Sequence, residues 1–190
     1  SGETHTVELT YAGQNISVTE TSTSFYNERQ KVQVSLAKVI EKDKTFGIGD
    51  NGEIKNISFG LYAAEDIVSA SGTVIPADGL IEIISVNENG TAVMKSDLPF
   101  GKYYVKEKET ANGYVLDGET REVDLTYRDQ NTAEVTYSAD WQNKRQKAEV
   151  KVLKKAKDSD RVLEGAIFAL CNKDDIVNAK GDVILKADTV

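Results

Sequence analysis

Apolar and polar residues alternate along much of this chain with a period of two, the spacing of a β-strand that buries one face and wets the other. The alternation is clearest from Lys31 to Ile40. There Val32, Val34, Leu36, Lys38 and Ile40 share one face, and Gln33, Ser35, Ala37 and Val39 share the other. It recurs over residues 58–62, 80–86, 91–95, 102–107, 121–127 and 133–143, with turn signals between the runs: Gly47 to Gly52, Ser71-Gly72, Asn87 to Gly90, Pro99 to Gly101 and Asn112-Gly113. Glu65 to Ser69 reads as a short helical turn, and no long amphipathic helix is predicted. Short strands separated by frequent turns predict an all-β fold, an antiparallel β-sandwich.

Three positions break the pattern. In the run GKYYVKEKETANGY from Gly101 to Tyr114, Tyr103, Val105, Glu107 and Glu109 share a face opposite Lys102, Tyr104, Lys106 and Lys108, so Glu107 falls among apolar neighbours. Lys38 lies on the apolar face of the first run. Asn143 shares a face with Val135, Tyr137, Ala139 and Trp141 in the last. Buried positions are normally apolar, and departures from that rule gather at functional sites.

The chain also repeats itself. GETHTVELTYAGQN from Gly2 returns as GETREVDLTYRDQN from Gly118, an offset of 116 residues. In the same register Phe25, Asn27, Arg29, Gln30 and Lys31 return as Trp141, Asn143, Arg145, Gln146 and Lys147, and Val34 and Lys38 return as Val150 and Lys154. After a short gap, FGLYAAEDIV from Phe59 returns as FALCNKDDIV from Phe168. The expected organisation is therefore residues 1–30 as the closing strands of one unit, 31–146 as a complete unit and 147–190 as the opening strands of the next. Such half-units leave edges unpaired, so either the chain is a segment of a longer array, the favoured expectation, or its two ends complete each other.

Composition narrows the function. The chain has 190 residues, 39% of them hydrophobic, enough for a packed core, and a net charge of −8 that disfavours both nucleic acid and anionic membrane surfaces as partners. No run approaches the roughly 18 apolar residues of a spanning helix, and any export signal or wall anchor is expected outside this segment. One cysteine precludes an internal disulfide framework, and Cys171 is expected as a buried strand residue. With a single histidine, His5, a zinc site or a histidine triad has little to be built from. Gly49 to Glu53 has a faint calcium-loop character but lacks the full ligand spacing, and a polar turn is the default. No metal or cofactor is expected.

Lys38, Glu107 and Asn143 offer two chemistries. Desolvation lowers a lysine pKa and raises that of a glutamate, so a neutral amine can attack a carboxamide while the acid relays protons and ammonia leaves. The product is an amide between Lys38 and Asn143. The alternative is a buried Lys–Glu ion pair with Asn143 satisfying strand-end hydrogen bonds. Glu109 shares the parity of Glu107 but stands next to the turn, which favours solvent. Trp141 and Phe25, each two residues before a candidate asparagine, are read as core packing.

The segment LPFGKYYVKEKETANGY, Leu98 to Tyr114, resembles the LPxGxYxLxExxAPxGY segment of CnaB-type (SpaA-like) repeats of Gram-positive surface adhesins and pilins. VSLAKV from Val34 is similar to that family's first strand with its linking lysine, FGLY from Phe59 to its FxLY strand, Gln142-Asn143-Lys144 to its closing Asn-Lys, and LEGAIFAL from Leu163 to its LxGAxFxL form. The proline that follows alanine in the family is absent, Thr110-Ala111-Asn112 standing in its place. The resemblance implies a prealbumin-like sandwich with an intramolecular isopeptide bond in which Lys38 is the amine, Asn143 the acceptor and Glu107 the catalytic acid. Lys154 and Asn27 match the amine and acceptor positions of the flanking units.

Taken together, these features predict a structural stalk repeat of a cell-wall-attached, extracellular adhesin. Its partners are neighbouring repeats of the same chain, with any host extracellular-matrix ligand engaged through other domains. The alternative is a binding module whose loops recognise a host matrix protein or glycan. An enzyme acting on an external substrate is disfavoured by the scarcity of histidines, metal ligands and phosphate loops.

Overall fold

A computed structural model describes all residues except Ser1, Glu3, Ser17, Thr19, Ala70 and Ala179. The alternating runs become strands: β1 (Lys31–Ile40), β2 (Ser58–Ala63), β5 (Leu80–Ser85), β6 (Thr91–Val93), β7 (Lys102–Glu109), β8 (Thr120–Asp124) and β9 (Glu134–Asn143). They form two sheets, ordered β6-β1-β9 and β5-β2-β7-β8. Inward residues of both sheets make one core: Val34, Leu36 and Trp141 from the first meet Phe59, Leu61, Tyr103 and Val105 from the second. The rings of Phe59 and Trp141 lie 5.1 Å apart and tie the sheets together.

Every pairing within these two sheets is antiparallel except one. β1 and β9 run parallel over their full length, from Lys31 opposite Glu134 to Ile40 opposite Asn143. The chain therefore enters the sandwich at one pole, beside Glu134, and leaves it at the other, beside Ile40. Ten residues of strand separate the two points, roughly 30 Å.

Two local expectations are corrected. Residues 65–69 are not a helical turn: Ile67–Val68 (β3) pairs with Val74–Ile75 (β4) as a small hairpin. β-branched residues favour the extended form, Ile67 is buried, and the Asp66 carboxylate accepts the Ala77 N–H at 2.8 Å. The helical turn sits instead at Glu53–Asn56, as one turn of 3-10 helix. Cys171 is exposed and outside any strand. Its repeat counterpart Tyr62 lies in β2, which is flanked by β5 and β7, whereas no strand pairs with residues 168–172.

Most of the described residues flanking the sandwich are open to solvent. Among the described residues before Lys31 no strand forms, and Phe25, expected in a core, is exposed. After Asn143, among the described residues, the only strands are Ile176–Val177 (β10) and Val183–Leu185 (β11), which pair with each other. Val152, Leu153, Ile167 and Leu170 are exposed. The inward face of an amphipathic strand is buried only when a second sheet covers it, and nothing covers these.

Candidate functional site

The three polar residues on apolar faces meet inside the sandwich. Lys38 descends from β1 and Asn143 from the end of β9, while Glu107 rises from β7 in the opposing sheet, where Phe59 is its cross-strand partner. Lys38 Nζ lies 2.7 Å from Glu107 Oε1, and both side chains are fully buried. Asn143 Nδ2 donates to Glu107 Oε2 at 2.8 Å. One carboxyl group thus holds the amine on one oxygen and the carboxamide on the other.

The site is buried and walled by aromatic rings. Lys38 Nζ stands 5.4 Å from the centre of the Phe59 ring and 6.0 Å from that of Trp141. On Trp141 also rests the Arg121 guanidinium, 4.0 Å from the ring centre, where it donates to the Asp140 carbonyl and closes the sandwich edge. Burial pushes the Lys38 ammonium below the usual lysine range, with the neighbouring Glu107 carboxylate acting in the opposite sense. Removing an ammonium and a carboxylate from water costs several kcal/mol per ion, so neither is tolerated here without the other.

A strap of backbone completes the enclosure. The Val115 carbonyl accepts from Asn143 Nδ2 at 2.7 Å, and the Asp117 N–H donates to Glu107 Oε2 at 2.7 Å. Asn143 Oδ1 is buried with no hydrogen-bond partner. The reverse orientation of the carboxamide would set Oδ1 against two acceptors, so the surroundings fix which atom points where. Sequence patterning missed Val115 and Asp117, because their part is played by main-chain atoms that every residue type carries.

Gly90 was legible only as a turn. Its carbonyl accepts the Lys38 N–H at 2.6 Å, and its left-handed conformation, φ 77°, leaves no room for a β-carbon beside the Lys38 carbonyl. It therefore anchors the backbone from which the amine projects.

The other candidates lie elsewhere. Glu109 is exposed, at 3.4 Å from the Ser58 hydroxyl that donates to it. Lys154 and Asn27 are both exposed. Glu53 spends its carboxylate accepting the N–H groups of Gly49 at 2.9 Å and Asn51 at 2.7 Å, as a polar turn does. His5 Nδ1 lies 2.7 Å from the Thr23 hydroxyl. Among the described residues no group of His, Cys, Asp and Glu is arranged to hold a metal ion, and no helix is long and apolar enough to cross a membrane.

The sequence model of one family, described as SpaA, a prealbumin-like fold domain, matches residues 46–141. The chain belongs to this family. Solved structures similar to this SpaA-type domain include GBS52, the minor pilin of Streptococcus agalactiae, at 20% identity and a TM-score of 0.42, over 65% of this chain and 48% of that one. The major pilin SpaA of Corynebacterium diphtheriae is similar at 18% identity and a TM-score of 0.41, over 60% of this chain and 31% of that one. The Bacillus anthracis TIE protein is similar at 24% identity and a TM-score of 0.39, over 63% and 18%. The chain thus spans less than half the length of each of these three. No curated protein matches it.

Proposed function

We propose that residues 31–146 are a stalk unit of a Gram-positive cell-surface protein, locked by an amide that forms spontaneously between Lys38 and Asn143. Residues 1–30 and 147–190 are, on this view, parts of the preceding and following units. The observation that carries the proposal is the convergence of a buried amine, carboxyl and carboxamide from three strands, with Glu107 in contact with both prospective partners.

The chemistry balances within the site. Lys38 passes one ammonium proton to Glu107 Oε1 along the 2.7 Å contact and becomes a neutral nucleophile. Its Nζ attacks Cγ of Asn143, forming a tetrahedral adduct. The carboxyl takes a second Nζ proton and gives one to Nδ2 along the 2.8 Å hydrogen bond. The C–N bond to Nδ2 breaks, ammonia leaves, and an amide joins Nζ to Cγ with Glu107 left protonated. Each unit reacts once, on itself, so no external substrate is turned over.

A stalk role follows from where the amide falls. Parallel pairing of β1 and β9 puts the chain's entry and exit at opposite poles, so tension shears one strand along the other. An amide between them carries that load covalently, and β2 to β8 are spared it. The extracellular, wall-attached location and the service of neighbouring repeats as partners belong to the same proposal.

Intact-mass spectrometry of the full chain tests it. The mass is expected to fall short of the sequence value by one ammonia, and Lys38→Ala, Asn143→Ala and Glu107→Ala are each expected to restore the full value. A wild-type chain at its full sequence mass returns the three residues to a buried ion pair with a hydrogen-bonded asparagine.

A further inference from the structure

We infer that the strap Val115–Asp117 is a specificity and positioning element that selects a carboxamide, rather than a carboxylate, as the group Lys38 attacks at position 143. The inference rests on the cross-linking reading above and adds to it why the leaving group is ammonia.

The strap is fixed at both ends. The Val115 N–H donates to the Lys144 carbonyl at 2.9 Å, immediately after the acceptor residue, and the Asp117 carboxylate accepts the Glu119 N–H at 3.0 Å in a tight turn. Between these ties its main chain faces the site while the Val115 and Leu116 side chains are exposed. Two acceptors, the Val115 carbonyl and Glu107 Oε2, converge on Nδ2 and use both of its hydrogens. Glu107 Oε2 is itself held by the Asp117 N–H.

This geometry recognises an N–H2 group. A carboxylate oxygen in the place of Nδ2 would be a third acceptor among acceptors, buried and without a proton between them, the arrangement that costs most in a dry interior. An aspartate at position 143 would fit only after taking up a proton. The carboxamide fits as it stands, its Nδ2 pinned, its Oδ1 free and its carbon left to the amine. When the C–N bond breaks, ammonia is formed against the Val115 carbonyl, directly beneath an exposed segment through which it can leave.

The test follows cross-link formation by intact mass, timed from cell-free synthesis of the full chain. Wild type is expected to lose one ammonia. Asn143→Asp is expected to lose one water at least about tenfold more slowly near neutral pH, the cost of one unmade charge-assisted hydrogen bond. Its rate is expected to rise as the pH falls and the added carboxyl takes up a proton, a dependence that loss of packing alone does not produce. Asn143→Asp linking as fast as wild type at neutral pH overturns the inference while leaving the cross-link itself intact. A wild type that loses no ammonia overturns the cross-link instead. Should the near-ultraviolet signal of Trp141 report that Asn143→Asp is unfolded, Asp117→Pro and Asp117→Ala decide. Proline removes the N–H that holds Glu107 and alanine keeps it, so proline is expected to link about tenfold more slowly than alanine. Equal rates overturn the inference.

Discussion

Lys38 and Asn143 sit on adjacent parallel strands but are not register partners: Lys38 lies opposite Trp141, and Asn143 opposite Ile40. They are diagonal neighbours on one face, close enough for long side chains to meet. Both contact Glu107, which reaches them from the other sheet. An amide on this diagonal runs along the line on which β1 and β9 slide under load.

That line gives a mechanical expectation. Pulled from residues before Lys31 and after Asn143, the linked unit should show no unfolding step. Lys38→Met, which keeps the stem and removes the amine, should open with a gain of roughly 350 Å for the hundred or so residues released. The single-molecule force–extension trace checks this, and a full unfolding step in the wild type sinks the load-bearing role.

Stability should respond to the closed loop as well. By analogy with disulfides, a covalent tie across roughly a hundred residues constrains the unfolded chain by about 4–5 kcal/mol. The control is Lys38→Met/Glu107→Gln, which removes the amine without stranding a buried carboxylate. Denaturation midpoints should separate the two proteins by that order, and equal midpoints would show that no loop had been closed.

The pH dependence of an unlinked variant has a definite sign. In Asn143→Ala the ion pair remains, and burial holds the folded pKa of Lys38 below the ordinary 10.5. As pH rises past the folded value, the buried amine releases its proton while the unfolded chain keeps it. The unfolded state then binds more protons, so stability contributed by this group rises until 10.5 is passed. Tyr103 works the other way: burial raises its phenol to about 12, so its contribution is lost as pH climbs through 10.0 toward that value. The difference between Asn143→Ala and Asn143→Ala/Lys38→Met/Glu107→Gln, followed through alkaline pH by chemical denaturation, reads out Lys38 without stranding a buried carboxylate. It should favour the lysine protein increasingly as pH rises, and a flat difference would contradict a lowered pKa.

Gly90→Ala should damage the site from behind. Its new Cβ would meet the Lys38 carbonyl oxygen at 2.4 Å, at a backbone φ of 77° that L side chains rarely adopt. A loss of about 1–3 kcal/mol is expected from backbone strain alone, together with slower amide formation as β1 shifts at Lys38. A thermal melt and the intact-mass time course measure the two effects, and an unchanged melting temperature refutes the clash.

Much of the unit was legible because strand alternation is local. Each side chain in a strand alternates faces whatever its partner, so Lys38, Glu107 and Asn143 were placed inward from parity, as were Val34, Leu36, Val105 and Trp141. The same rule failed at Cys171 and Phe25, because parity names the face of a strand but not whether another sheet covers it. It also failed over 65–69, where five residues are too few to separate one helical turn from a short strand.

By itself, then, the sequence determined the seven strands of the two sheets, their inward faces, the 116-residue repeat and the three polar residues set among apolar ones. Only the tertiary structure decided that β1 and β9 run parallel, that Glu107 faces the other two from across the sandwich, and that the main chain of Val115 and Asp117 closes over them. The reason is physical. Facing is set by covalent geometry within a few residues, whereas pairing and convergence are set by which distant surfaces exclude water together, and backbone hydrogen bonds leave no mark in side-chain identity.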